Sequence, residues 1–219
     1  MASAEKLHEV VRGVPSFGTV GRYFEALPAG WTSYPACRVR ASLLGSLHAR
    51  GALDAVEALP HLFAPGLLVD HLVPTSEWLP EVVHVAVLLA IRDLRFGAGP
   101  RGDEDFQRWL AVLNCGLLDQ AEQNRATGTT SAADYVPHLA SLWTSFHGGT
   151  PAVVTTHSPN HATLTLTHPT PLFPALLIEA RRRAFAHALA KQGAVQPIVS
   201  ARTTFAGADA ATVFDVTWT

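Results

Sequence analysis

The sequence predicts an α+β fold, and three observations carry that prediction. The apolar period changes from helical to twofold near residue 148. A helical segment, 172–192, stands between two pairs of alternating segments, and the chain closes on the alternating run Val213-Phe214-Asp215-Val216-Thr217-Trp218. The expectation is a helical N-terminal part, 1–148, packed on a C-terminal antiparallel sheet in 149–219. The order there is strand, strand, helix, strand, strand, and the whole forms one compact domain.

Taken in order, helical patterns near 5–12, 17–27, 37–50 and 51–59 are separated by Pro15, Pro28-Ala29-Gly30, Pro35, Gly51 and Pro60. From Trp78 to Phe96 the chain opens on Leu79-Pro80-Glu81, suited to a first helical turn, because Pro is tolerated there and Glu favours the positive end of the dipole. The run Val82 to Ile91 is apolar all round, which makes it a buried central helix; its β-branched residues leave a buried strand as the competing reading. Asp103, Glu104 and Asp105 then mark the start of a helix over 103–119, with Phe106, Trp109 or Leu110, Leu113 and Leu117 on one stripe.

The polar stretch Gln120–Ala133 reads as a mobile loop. Asp134 or Ser131 caps the next helix, which runs through Tyr135, Leu139, Leu142, Trp143 and Phe146 and stops at Gly148-Gly149. Beyond it, 152–155 and 163–167 flank Ser158-Pro159-Asn160 as a hairpin with Leu164 and Leu166 facing the core. The helix from Leu172 to Gln192 stops at Gly193. Strands near 196–205 and 211–218 follow, and in the last one Phe214, Val216 and Trp218 share a face opposite Asp215 and Thr217.

With 48% hydrophobic residues and 16% charged, the 219-residue chain is a folded globular protein rather than a disordered one. Its 16 basic and 18 acidic residues give a net charge of −2, which supplies no electrostatic reason to bind nucleic acid or anionic membranes. Lys6 and Lys191 are the sole lysines among many arginines, a GC-rich bacterial coding bias. Met1–Glu9 lacks the apolar core of a signal peptide and no apolar run is long enough to span a bilayer, so a cytoplasmic location is expected. Cys37 and Cys115, far apart, read as reduced thiols in packed surroundings.

No motif of nucleophilic catalysis or phosphate binding is present: there is no Gly-x-Ser-x-Gly, and Phe96-Gly97-Ala98-Gly99-Pro100 lacks the Gly-Lys-Ser/Thr of a phosphate loop. Of the 11 histidines, His157, His161 and His168 are densest. His161 and His168 lie seven residues apart on an alternating strand, so they point to opposite faces, roughly 23 Å from each other. No metal site is expected.

His84, inside the most apolar segment, shares a helical face with Leu88, Ile91, Arg92 and Arg95; a core histidine bonded to a backbone carbonyl is favoured over a pocket wall. Arg92-Asp93 reads as an ion pair or buried anchor before an anion clamp. His147 beside two glycines reads as solvated, and Arg181-Arg182-Arg183 with Glu179 as a solvated, salt-bridged face. Trp78, His84, Leu88, Arg92, Trp109 and Trp143 are the candidate ligand-binding residues, with no catalytic residue assigned.

The C-terminal residues also carry a resemblance. Leu164-Thr165-Leu166-Thr167-His168, the proline-marked bend, the helix entering at Leu172-Phe173-Pro174-Ala175-Leu176-Leu177, Gly193-Ala194 and the closing Val216-Thr217-Trp218 resemble a myxobacterial paralogous family of uncharacterised proteins. More distantly they are similar to the haem nitric-oxide/oxygen-binding and the vinyl-reductase-type small-molecule-binding domains. Those haem sensors hold their cofactor with a proximal histidine and a Tyr-x-Ser-x-Arg clamp on the propionates. At the three clamp places this chain has Leu166, His168 and Thr170, so no cofactor is expected. The resemblance implies a non-catalytic sensory or regulatory module for a small apolar ligand or a protein partner, with homodimer formation left open. The alternatives are a small enzyme using His84 or His147 as acid/base, and a pure protein-interaction module.

Overall fold

A computed structural model describes residues 18–53, 78–123 and 131–219, which form six α-helices and two antiparallel sheets. The α+β class holds, and so does the strand-strand-helix-strand-strand order of the C-terminal part. The chain divides into two compact units: residues up to Asp103 with Phe146–Gly149, and Glu104–Ser145 with Thr150–Thr219. The change of period near 148 marks a change of secondary structure, whereas the units divide elsewhere.

In the first unit, α1 (Gly18–Ala26) begins where the Asp93 carboxylate accepts from the backbone N–H groups of Thr19 at 2.9 Å and Val20 at 3.1 Å, which satisfies two of the orphan donors of a helix start. The segment read as helix over 37–50 splits in two. Arg38–Arg40 is strand β1, and Ala41–Ala49 is α2 with Leu43, Leu44 and Leu47 buried. Trp78–Pro80 is strand β2 rather than a first helical turn, and pairs with β1 from Arg38↔Pro80 to Arg40↔Trp78. Helix α3 (Glu81–Arg95) follows with Pro80 as its N-cap, and its residues Val82 and His84 to Arg92 are buried, as the unbroken apolar run requires. Strand β3 (His147–Gly148) completes a sheet of order β2-β1-β3. Three strands of two or three residues show no twofold period, so this sheet had no sequence signature.

The helix expected at 5–12 lies outside the described residues; of the one expected at 51–59, residues 51–53 form a turn and the rest lies outside them.

In the second unit, α4 (Pro100–Gln123, entering from the first) runs further than its stripe suggested, into the stretch read as a mobile loop, whose residues 124–130 lie outside the described ones. Helix α5 (Ala132–Phe146) is capped by Ser131, whose hydroxyl accepts from the Asp134 N–H at 3.3 Å and donates to the Asp134 carboxylate at 2.6 Å, so both candidate capping residues take part. The four-stranded sheet has the order β4-β5-β7-β6, from β4 (Ala152–Ser158), β5 (His161–Pro169), β6 (Ile198–Ala206) and β7 (Asp209–Thr217). Ala162↔Val216 and Leu164↔Phe214 bring the apolar sets of β5 and β7 onto one face.

Helix α6 (Ala175–Lys191) buries Leu177, Ala180, Arg181, Ala184, Phe185 and Ala188, with Phe185 set edge-on to Phe214 at 5.0 Å between centroids. It ends at Gln192 and Gly193, the latter with φ of +84°, the left-handed stop that glycine adopts without cost.

Candidate functional site

The first unit contains a buried cluster built on Glu81. Because β2 pairs with β1 up to Pro80, α3 starts against the small sheet, and the Glu81 N–H donates to the Cys37 carbonyl at 3.0 Å. The Glu81 side chain therefore turns inward instead of reaching solvent and is 0% exposed. Its Oε2 accepts from His147 Nδ1 at 2.8 Å, and Oε1 from His84 Nδ1 at a longer 3.4 Å. The two rings lie 6.5 Å apart, centroid to centroid.

Burial alone would raise the Glu81 carboxyl. The charge and hydrogen bond of His147, with those of His84, outweigh it and hold the group well below the usual carboxylate range. Cys37 lies alongside, its thiol directed at the Gly149 carbonyl at 3.6 Å, and burial together with the Glu81 charge pushes that thiol up to about 11. It is no nucleophile at neutral pH. The segment carrying His147 comes close to β1 only because residue 149 is glycine: a Cβ there would stand 2.1 Å from the Ala36 carbonyl oxygen, at a φ of +74°.

Two sequence readings are corrected here. His147 is not solvated but buried, since the helix it follows leads straight into β3. His84 is satisfied by a carboxylate and not by a backbone carbonyl.

The second unit holds an aromatic cluster. The Arg181 guanidinium stacks 4.0 Å over the Phe173 ring and 4.9 Å from the Trp143 centroid, and the two rings meet edge-on at 5.8 Å. Trp143 Nε1–H donates to the Thr150 carbonyl at 2.7 Å. Arg181 was expected on a solvated face and is buried, because it falls on the Leu177–Ala184–Ala188 stripe of α6; Arg182 and Arg183 do pair with Glu179. His168 touches the same Phe173 ring at 4.9 Å. Its Nδ1–H donates to the Pro169 carbonyl at 3.0 Å, and its Nε2 accepts from the Thr212 hydroxyl at 2.9 Å. Burial lowers its pKa, as does the charge of Arg181, against the pull of the Pro169 carbonyl, so the ring is neutral at pH 7.

Solved structures resemble this arrangement of elements. A member of the H-NOX family from work on haem distortion aligns with a TM-score of 0.58 at 5% identity, over 82% of this chain and 94% of that one. A protein from work on haem redox potential and porphyrin distortion gives 0.57 at 5% identity over 81% of this chain and 97% of that one. A variant of the T. tengcongensis H-NOX gives 0.53 at 5% identity over 80% and 92%. The chain has the H-NOX fold. No protein-family model and no curated protein sequence matches it.

Within this H-NOX fold the six candidate ligand residues fall into both units. In the first, Trp78 lies on β2, with the Arg40 guanidinium 4.2 Å over its ring. His84 joins the Glu81 cluster, and Leu88 is buried in α3. Arg92 gives Nη1 to Asp93 at 2.8 Å, and Nε and Nη2 to Asp103 at 2.9 and 2.6 Å, tying α3 to the start of α4 as a buried anchor. In the second, Trp109 is half-buried against Phe106 at 5.8 Å, and Trp143 belongs to the Arg181 cluster. Glu81, Phe173 and Arg181 are the members that sequence reading left out. Among the described residues no group of three or more His, Cys, Asp or Glu is placed to hold a metal ion, and no helix is long and apolar enough to cross a membrane.

Proposed function

We propose that this chain is a cytoplasmic, non-catalytic sensory or regulatory module that uses the H-NOX fold to bind a small apolar ligand or a protein partner, without haem. The observation that carries the reading is the likeness of fold over about four fifths of the chain to proteins whose described chemistry is haem distortion and haem redox potential. A fold that surrounds a large flat ligand in its relatives is a scaffold on which a different ligand can be held by changing side chains. We further propose, on the C-terminal residues alone, that the chain is akin to a myxobacterial paralogous family and, more distantly, to vinyl-reductase-type small-molecule-binding domains.

Haem does not fit the residues at the expected clamp. Leu166 is buried on the inner face of β5 and has no donor to offer. Both nitrogens of His168 are engaged, by Pro169 and Thr212. Thr170, in the place of the arginine, carries no charge to neutralise a propionate. The aromatic rings of the Trp143–Phe173–Arg181 cluster favour an apolar ligand and make it the first place in the second unit to seek contacts; Trp109 is the other candidate there, and Trp78, His84, Leu88 and Arg92 are the candidates in the first unit.

A thermal-melt screen with fatty acids, indoles and small aromatic acids tests this. A binder at about 100 times its Kd should stabilise by about 2.7 kcal/mol and raise the melting temperature by several degrees. That shift should shrink in a folded Trp143→Ala variant. A panel that moves nothing, with no protein recovered as a partner, contradicts the proposal.

A second reading, a small enzyme, is favoured by one contact, the 2.8 Å Glu81–His147 pair, since a carboxylate that orients an imidazole is how a general base is held. Its mark would be turnover that vanishes in a folded His147→Gln protein.

A further inference from the structure

We propose that the free edge of β6 is the surface through which two copies of this chain join their four-stranded sheets. Among the described residues, strands β4 and β6 are the two edges of the sheet. Natural sheets blunt their edges with bulges, prolines, charges or shortness. Strand β4 is broken in this way, by a register shift between Thr156 and Ser158. Strand β6 is not. It pairs with β7 without interruption from Ile198↔Thr217 to Ala206↔Asp209, contains no proline, and carries Arg202 as its single charge. Near its ends stand Ile198 and Phe205, 67% and 69% exposed, the most exposed large apolar side chains among the described residues.

The backbone fixes how a second copy would pair. In an antiparallel ladder alternate residues turn both N–H and C=O away from their neighbour strand. The Val199 carbonyl accepts from Arg182 Nη1 at 2.8 Å, which marks 199, 201, 203 and 205 as the outward set. Arg182 already holds the first of these, so Ala201, Thr203 and Phe205 remain for a new strand.

A two-fold axis at Thr203 uses all three. Thr203 meets its own copy, Ala201 meets Phe205 of the partner subunit, and Arg202 meets Thr204 of the partner subunit. An axis at Arg202 would oppose two guanidinium groups, and one at Ala201 would need the carbonyl that Arg182 holds. The register centred on Thr203 engages all three free residues of the strand with their own copies, which favours a second copy over an unrelated peptide. This inference does not rest on the ligand-binding proposal.

Sedimentation of the full chain at micromolar concentrations should give twice the 23.4 kDa chain mass. Ala201→Pro removes an outward N–H at two symmetric places and leaves the β7 ladder intact, so it should yield a folded monomer, with a melting temperature lowered by no more than the loss of association. Should that variant fail to fold, Thr203→Cys still decides. The two Cα atoms would lie about 5.5 Å apart, within disulfide reach, so mild oxidation should give a covalent dimer, while Ser200→Cys should give none. Cys37 and Cys115 are buried with thiols pushed up to about 11 and do not compete. A chain that stays monomeric throughout, a dimer undiminished by a folded Ala201→Pro, or cross-linking of Ser200→Cys as readily as Thr203→Cys overturns the proposal. The first result would leave the edge to a different partner.

Discussion

A chain ending at Thr212 should fail to fold. Val213 to Thr217 belong to β7, which lies between β5 and β6 and pairs with both, from His161↔Thr217 on one side and Ile198↔Thr217 on the other. Removing them strips residues 198–202 of β6 of their partners and takes Phe214, Val216 and Trp218 out of the core, where they are 0%, 1% and 8% exposed. Each such side chain contributes about 1.5–3 kcal/mol of apolar burial, against a total stability of about 5–15 kcal/mol for a domain. Circular dichroism and a thermal melt check this. A truncated protein that is soluble and melts at the full-length temperature would refute the sheet as described.

Replacing Glu81 should have the next largest effect. A fully buried carboxylate holding two imidazoles is costly to remove on one side only, because the partners are left buried without their acceptor; Glu81→Ala should cost about 3–5 kcal/mol. His147→Gln should cost about 1–3 kcal/mol, more than His84→Gln, whose bond to Glu81 is longer at 3.4 Å. The carboxyl of Glu81 lies below its ordinary 4.5 in the folded state. Between that folded value and 4.5 the unfolded chain binds more protons than the folded one. The contribution of Glu81 is therefore complete above the ordinary value and is lost as pH falls towards the folded one. Glu81→Gln should accordingly flatten part of the acid limb of stability against pH. An unchanged acid limb and an unchanged melting temperature would show that the cluster does not stabilise the fold.

Where the sequence was legible, a strong local pattern coincided with burial. The twofold alternation of β5 and β7 pointed to strands with one face buried, and the uninterrupted apolar run of α3 pointed to a buried helix, with a buried strand as its competitor. The small sheet was not legible, because Arg38-Val39-Arg40 buries only Val39 and is held by partners more than thirty residues distant. Glu81 shows the same limit. Its place at a helix start accounts for it locally, and only the pairing of Pro80 with Arg38 turns it inward towards His147. Arg181 is a different case. Its spacing of four from both Leu177 and Phe185 placed it on the buried stripe, but the triple-arginine run suggested a solvated face. Contacts between residues distant in sequence built the candidate site, and periodicity does not encode them.

Titrating the purified chain with haem and following the Soret band decides whether this H-NOX fold serves a ligand other than haem. With Leu166, His168 and Thr170 at the clamp positions, no sharp band and no saturation at one equivalent are expected. Tight one-to-one uptake with a sharp Soret band would contradict that reading and would show that another set of residues had replaced the clamp.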